Sequence, residues 1–319
     1  MDGQIEKFHS MFHPTLPLDS AYYSKCYQTL FRNLELKEPF EPWFSEVLGV
    51  AIRDKLLGSP VVVADLAKDR KLRHLGVGSG SGELEMQIFV PLLDKFKHIH
   101  NHVIEPSEKL ISIYRNSLQT DQATAVGVEF DWHQESLEEH QARHSNQTPE
   151  LFHVVTAVHS IYYGGRMEDK LPFLYNSLMN GGVMAFVVKS ETDSLSNVQR
   201  QFLSPNIPGY RYYTKQWIQA FLESNNIPYE TIDIPRCFID VTTCFDEHST
   251  EGAELLDFIS HMRDFRKDGV KREQREEFMK LLRQNAHMVG EKLIVTHDTS
   301  AVIVQRGSQE FSSTVMSQA

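Results

Sequence analysis

Four glycines at alternate positions, Gly76, Gly78, Gly80 and Gly82, separate an apolar run containing Leu75 and Val77 from an amphipathic stretch opened by Glu83. Glycine is required where the backbone takes φ > 0 or comes within contact distance of a ligand. A strand-to-helix turn also presents free N–H groups at the ligand edge of an open α/β sheet. A second apolar run, Val103-Ile104, ends in Glu105, about 20 residues past the loop, where a carboxylate grips a ribose diol in nucleoside-binding folds. The pattern predicts a strand, a glycine loop, a helix and a second strand with an acidic end, holding an adenosine-containing cofactor.

What the loop lacks decides which cofactor. A dinucleotide fingerprint needs G-x-G-x-x-G/A, yet Glu83 or Ser81 stands in its third slot, so an NAD-dependent oxidoreductase is disfavoured. A P-loop needs Lys followed by Ser or Thr, and Gly82 is followed by Glu83-Leu84. A carboxylate in the first helical turn repels a pyrophosphate and tolerates a neutral or cationic ligand. S-adenosylmethionine (AdoMet) has no phosphate and carries a sulfonium charge. The loop with its acidic clamp resembles motifs I and II of class I methyltransferases.

The chain of 319 residues is long enough for one large α/β domain and a smaller one. Its net charge of −11 argues against a nucleic-acid groove and for a small-molecule partner. There is no run of eighteen apolar residues and no leader-like N-terminus, so a cytoplasmic protein without membrane contact is expected. Cys26, Cys237 and Cys244, odd in number and widely spaced, suggest buried free thiols rather than a disulfide frame or a zinc site, and no metal is expected.

Periodicity predicts a helical cap over 1–70, with helices Tyr22 to Arg32 and Pro42 to Leu57. A Rossmann-like AdoMet-binding core follows over 71–189 in βαβ rhythm. Its expected strands are Leu72 to Val77, His102 to Glu105, Val128 to His133, Leu151 to Val158 and Val183 to Lys189. Residues 190–306 should form a substrate subdomain, with a lid from Ser190 to Tyr213, and C-terminal strands completing the sheet, among them one strand from Leu293 to Val304. The polar stretch 307–319 reads as a disordered tail. The fold class is thus α/β, a doubly wound seven-stranded sheet with a helical N-terminal cap and a smaller substrate-binding subdomain.

Reacting groups belong at the carboxyl ends of the strands, which singles out His159 after the fourth strand. Its alternative role is a hydrogen-bonded turn residue. Tyr162 and Tyr163 could wall a pocket for a cation or ring, or belong to the core. No (D/N/S)-P-P-(Y/F/W) tetrapeptide of adenine-N6 DNA methyltransferases is present.

The blocks Leu75 to Gln87, Val103-Ile104-Glu105-Pro106-Ser107, Phe130-Asp131-Trp132-His133-Gln134-Glu135 and Ile161-Tyr162-Tyr163 resemble the histamine N-methyltransferases, a likeness running from about Tyr22 to Val304. The resemblance implies a monomer of class I fold that binds AdoMet through Gly76, Gly78, Gly80, Gly82, Glu105, Ser107, Glu135, Ser136 and Val158. It implies an N-methyltransferase of a small imidazole or amine metabolite, with Tyr23, Tyr162, Tyr163 and Phe258 on the substrate side. The family holds its acceptor with a Glu, a Gln and an Asn. The matching positions here are Glu38 (Glu35 and Glu41 being alternatives), His159 and His297. Both amides are histidines, and the two family tryptophans after the fifth strand fall in Ser190 to Gln199, which has none. Lys189, Arg200 and Arg211 could pair with a substrate carboxylate or be simply solvated. A carnosine- or histidine-type imidazole methyltransferase is therefore the first alternative, and a non-catalytic AdoMet-binding protein the alternative of another class.

Overall fold

The computed structural model describes residues 21–35, 41–120, 126–144, 150–206, 211–267 and 270–307. Glu38 and positions 308–319 of the expected tail lie outside them. Backbone contacts divide the chain into a larger unit, residues 39–188, 215–234 and 299–319, and a smaller one, residues 1–38, 189–214 and 235–298.

In the larger unit seven strands, β1 (Leu72–Val77), β2 (Ile99–Ile104), β3 (Val128–His133), β4 (Phe152–Val158), β5 (Leu178–Lys189), β6 (Tyr229–Asp233) and β7 (Thr299–Gln305), form one sheet of order β3-β2-β1-β4-β5-β7-β6. Neighbours from β3 to β5 run parallel, and β7 is antiparallel to β6. This is the doubly wound, Rossmann-like seven-stranded sheet expected from the sequence. Strands buried on both faces need continuous apolar runs, as in Val183 to Val188 of β5. Helices α1 (Glu83–Leu93), α2 (Glu108–Thr120), α3 (Leu137–His144) and α4 (Met167–Asn176) connect the strands. The core joins Phe89, Val103, Val154 and Val187 to Phe44, Leu48 and Ile52 of a helical segment, Glu41–Trp43 and Val50–Leu57, interrupted by the π-helix Phe44–Gly49.

The smaller unit has a four-stranded sheet of order Leu34–Glu35, Cys237–Asp240, Lys292–His297, His287–Val289. Its core includes Phe202, Leu256, Phe265 and Phe278. Cys26, Cys237 and Cys244 are buried free thiols, as expected. Among the described residues no helix is long and apolar enough to cross a membrane.

Two expected elements are corrected and one unassigned helix is added. Residues Ser194–Asn206 form a helix rather than an aperiodic lid, because Asp193 caps it, its Oδ1 accepting from Ser196 N at 2.8 Å. Pro60–Asp69 is a helix hidden by its β-branched Val61 to Val63, although Ser59 caps it and Pro60 occupies its first turn. The single strand expected from Leu293 to Val304 is two, Lys292–His297 and β7, in different sheets.

Candidate functional site

Three of the four loop glycines take left-handed backbone, Gly78 at φ +61°, Gly80 at +60° and Gly82 at +78°. A Cβ on Gly82 would stand 2.2 Å from the Tyr114 ring, whereas one on Gly80 would meet nothing within 4 Å. A Cβ on Gly78 would stand 2.5 Å from Ser160, so the loop is pressed onto protein at both ends and faces open space at its middle.

Glu105, 5% exposed at the end of β2, ties the loop to the next turn. Its Oε2 accepts from Gly80 N and its Oε1 from Ser107 N, both at 2.9 Å. Each carboxylate oxygen has two lone-pair positions, so both keep one for a ligand hydroxyl. Burial raises the Glu105 pKa, and the two backbone N–H groups offset part of that rise.

Beneath the loop runs a buried network that the sequence reading did not anticipate. Glu85, in the first turn of α1, accepts from Ser79 Oγ at 2.8 Å, Asn101 Nδ2 at 2.6 Å and Tyr114 OH at 3.1 Å. Asn101 Oδ1 accepts from His74 Nδ1 at 2.7 Å, and His74 Nε2 accepts from Thr156 Oγ1 at 2.9 Å. Burial lowers the His74 pKa, which favours the neutral ring that both contacts use. The chain of bonds spans β1, β2 and β4 and fixes the glycine loop from below. Its one mark in the sequence is a carboxylate, Glu85, two residues after the helix start, with nothing there to show that it is buried.

Other expected cofactor residues serve partly as scaffold. Ser107 Oγ accepts from Leu110 N at 3.3 Å at the start of α2. Ser136 and Glu139 form a capping box on α3, Ser136 N donating at 2.7 Å and Ser136 Oγ accepting at 3.2 Å. Glu135 accepts from His140 Nδ1 at 2.7 Å and from Arg143. Val158 ends β4, paired with Val187.

His159 follows with φ +52°, a left-handed conformation rare outside glycine and asparagine, its N–H donating to Val187 O at 2.9 Å. Ser160 Oγ donates to Val77 O, joining the carboxyl ends of β4 and β1. Tyr162 and Tyr163 meet edge to face at 4.8 Å and are half-buried. Their turn is held by Lys170, 2% exposed, which donates to Tyr163 O and pairs with Glu138 at 2.9 Å. The loop glycines, Glu105, Val158 and His159 thus all stand at the carboxyl edge of the sheet.

The remaining substrate-side candidates belong to the smaller unit. Tyr23 and Phe258 pack with ring centres 5.6 Å apart, beside Tyr27. His297 ends the strand Lys292–His297, its Nδ1 3.9 Å from Asp193 Oδ1. Asp193 is 2% exposed, and neither its Oδ2 nor His297 Nδ1 has a hydrogen-bond partner. Such a buried carboxylate can receive a cation or an N–H donor. Asp193 and Arg200 also line a polar depression of about 490 Å³ with Asn197 and Thr296, none of them cofactor residues. Of the two alternatives to Glu38, Glu35 pairs with Lys292, and Glu41 is exposed in the larger unit. Lys189 is buried, its Nζ 3.9 Å from the Tyr212 ring centre, and burial pushes its pKa down to about 7.

No family model matches the chain. Among curated proteins it is similar to histamine N-methyltransferase of Danio rerio, 25% identical over 223 residues, covering 68% of this chain and 76% of that one. It is similar to carnosine N-methyltransferase 2 of Gallus gallus, 25% identical over 213 residues and covering 65% of each chain. Among solved structures it is similar to the YcgJ protein from Bacillus, TM-score 0.48 and 13% identity, covering 75% of this chain and 94% of that one.

Proposed function

We propose, from the premise that this chain is an AdoMet-dependent methyltransferase similar to the histamine N-methyltransferases, that it methylates a nitrogen of a small imidazole or amine metabolite. The observation that carries the reading is the Gly80–Glu105 cradle, in which open space lies over a left-handed glycine beside a carboxylate with lone pairs to spare. The donor set fits AdoMet: Gly80 and Glu105 would hold the ribose, Gly76, Gly78 and Gly82 shape the loop, and Ser107, Glu135, Ser136 and Val158 complete the pocket. Glu83 and Glu85 in the first turn of α1 suit a ligand without phosphate.

When bound, AdoMet supplies a methyl group activated on a sulfonium, and its displacement requires no nucleophilic side chain. The protein's task is to hold an unprotonated acceptor nitrogen in line and to exclude water. We assign the acceptor's positioning to His159, with Tyr162 and Tyr163 against its ring or cation. A neutral His159 accepts from one acceptor N–H and leaves the nucleophilic lone pair free. His297, the Tyr23–Phe258 pair and Glu38 are assigned only the substrate-side role that the family resemblance implies. The reading includes a cytoplasmic monomer, whose three unpaired thiols suit a reducing compartment.

A turnover assay with labelled AdoMet over a panel of imidazoles and amines tests the activity, and no transfer to any of them would sink it. His159→Phe should lower kcat far more than it lowers affinity for S-adenosylhomocysteine. Equal losses in both would make His159 structural.

Glu105→Ala should weaken S-adenosylhomocysteine binding roughly ten- to a hundredfold, the equivalent of about 1.5–3 kcal/mol of charge-assisted hydrogen bonding. Unchanged affinity by calorimetry in the folded variant would remove Glu105 from the cofactor site.

Lys189 supports a second reading, a carboxylate-bearing acceptor such as an imidazole dipeptide or amino acid, because a carboxylate beside this buried amine would hold it protonated. Competition between histamine and carnosine separates the two. Lys189→Met should selectively reduce use of carnosine if the second reading holds.

A further inference from the structure

The strands farthest from β5, β2 and β3, carry histidines and carboxylates on one face. They pair in parallel with His100 opposite Glu129 and His102 opposite Asp131. A ladder of imidazoles results, with His100 and His102 ring centres 4.4 Å apart and those of His102 and His133 5.8 Å apart. His102 is buried, its Nε2 3.3 Å from His100 Nδ1 and 3.6 Å from Glu150 Oε1. One ligand atom from each of His100, His102 and Asp131 lies within 4.8 Å of the other two.

We propose that His100, His102, Asp131 and Glu150 form a binding site for a zinc ion on the outer strands of the sheet, separate from the cofactor cradle. Zinc–nitrogen bonds of about 2.0–2.1 Å in a tetrahedron place neighbouring ligand atoms about 3.3–3.4 Å apart. The two imidazole nitrogens already stand at that separation, and the Glu150 oxygen is close to it. Asp131 Oδ2 lies 3.8 Å from His102 Nδ1 and 3.3 Å from His133 Nε2, so it must rotate to join the Nε2 side, and with side chains 50% and 49% exposed Asp131 and Glu150 can turn onto an ion and leave it a path from solvent. Imidazole with carboxylate, and no thiolate, suits zinc, nickel and copper, whereas magnesium and calcium take all-oxygen sets. Phe152 braces His102 edge-on at 5.1 Å, fixing its ring.

The neighbouring group His133, Glu135 and His140 has similar spacing but already contains a cation. Arg143 Nη2 lies 3.1 Å from His133 Nδ1 and bonds Glu135. That decides between the two groups. Spacing along the sequence did not reveal the site, because its ligands come from two strands and the segment before β4 and meet only through sheet register.

The test is calorimetric titration of the full chain, stripped with chelator, with zinc chloride alone, and visible spectroscopy with cobalt(II) as probe. The expected result is one zinc per chain and cobalt bands of tetrahedral intensity. His100→Ala and Asp131→Asn, both at accessible positions, should each weaken zinc by more than about tenfold, the loss that removal of even an outer-shell partner brings. S-adenosylhomocysteine affinity should stay at the wild-type value in both, which shows that they are folded. Zinc binding that survives both substitutions, the absence of stoichiometric binding, or octahedral cobalt spectra would overturn the site.

Discussion

Gly82→Ala is expected to destabilise the larger unit by about 2–5 kcal/mol, the sum of about 1–2 for a left-handed non-glycine residue and about 1–3 for overpacking. The new methyl would lie 2.2 Å from the ring of Tyr114, itself fully buried and bonded to Glu85, so the ring cannot move aside without breaking that network. Gly80→Ala has the same backbone sign, φ +60°, but no neighbour within 4 Å, so only the conformational part of about 1–2 kcal/mol applies. Its methyl would instead enter the space assigned to the cofactor. Urea melts and S-adenosylhomocysteine calorimetry on both variants should therefore diverge, Gly82→Ala failing mainly in stability and Gly80→Ala mainly in binding. If Gly82→Ala proves no less stable than Gly80→Ala, the Tyr114 contact does not govern the loop.

Acid should weaken the fold through its buried histidines. Burial lowers His153 to about 4 and His261 to about 3, Arg73 and Lys189 respectively adding to the effect, against an ordinary value near 6.5. His153 Nδ1 accepts from Arg73 N at 2.9 Å and its Nε2 lies 3.0 Å from Asp65 Oδ2, so protonation would turn an acceptor against a backbone donor. Both groups bind protons more readily unfolded than folded. Stability is then fully present above about pH 6.5 and falls as the pH drops toward 4 for His153 and 3 for His261. These two groups alone, each taking up a proton only in the unfolded chain, contribute a slope of about 3 kcal/mol per pH unit near pH 5. Denaturant melts at pH 7, 6 and 5 measure it, and equal stability at all three would refute the assignment. His153→Gln should reduce the slope by about one proton.

Legibility followed locality. The glycine loop and Glu105 are separated by one helix, and their chemistry is written in spacing that the β1–α1–β2 geometry preserves. Helix Ser194–Asn206 was lost because its polar residues and Pro205 resemble a loop, while its cap, Asp193, is also a buried polar group that single-sequence patterns do not weigh. The stretch Leu293 to Val304 is β-forming on both sides of Asp298, and one strand-depleted residue does not by itself mark a break. That break becomes visible only through tertiary partners, Arg236 on the Asp298 carboxylate and Ser190 N on its carbonyl. Glu85 and Lys170 carry no sign of burial in the sequence, because a charged residue is surface-like unless its partners are known. Their partners come from other strands and turns.

The position of β7 has a consequence for how the chain is made. It follows every other strand of its sheet in sequence, yet it sits between β5 and β6. Until Thr299–Gln305 emerges from the ribosome, one side of the buried, valine-rich β5 presents bare backbone hydrogen-bonding groups, and β6 has no place in the sheet. Such an unfilled slot is an invitation to foreign strands. A nascent chain stalled at Asp298 should consequently recruit holdase chaperones and precipitate on release, and a synthetic peptide spanning 299–305, supplied in trans, should compete with that loss.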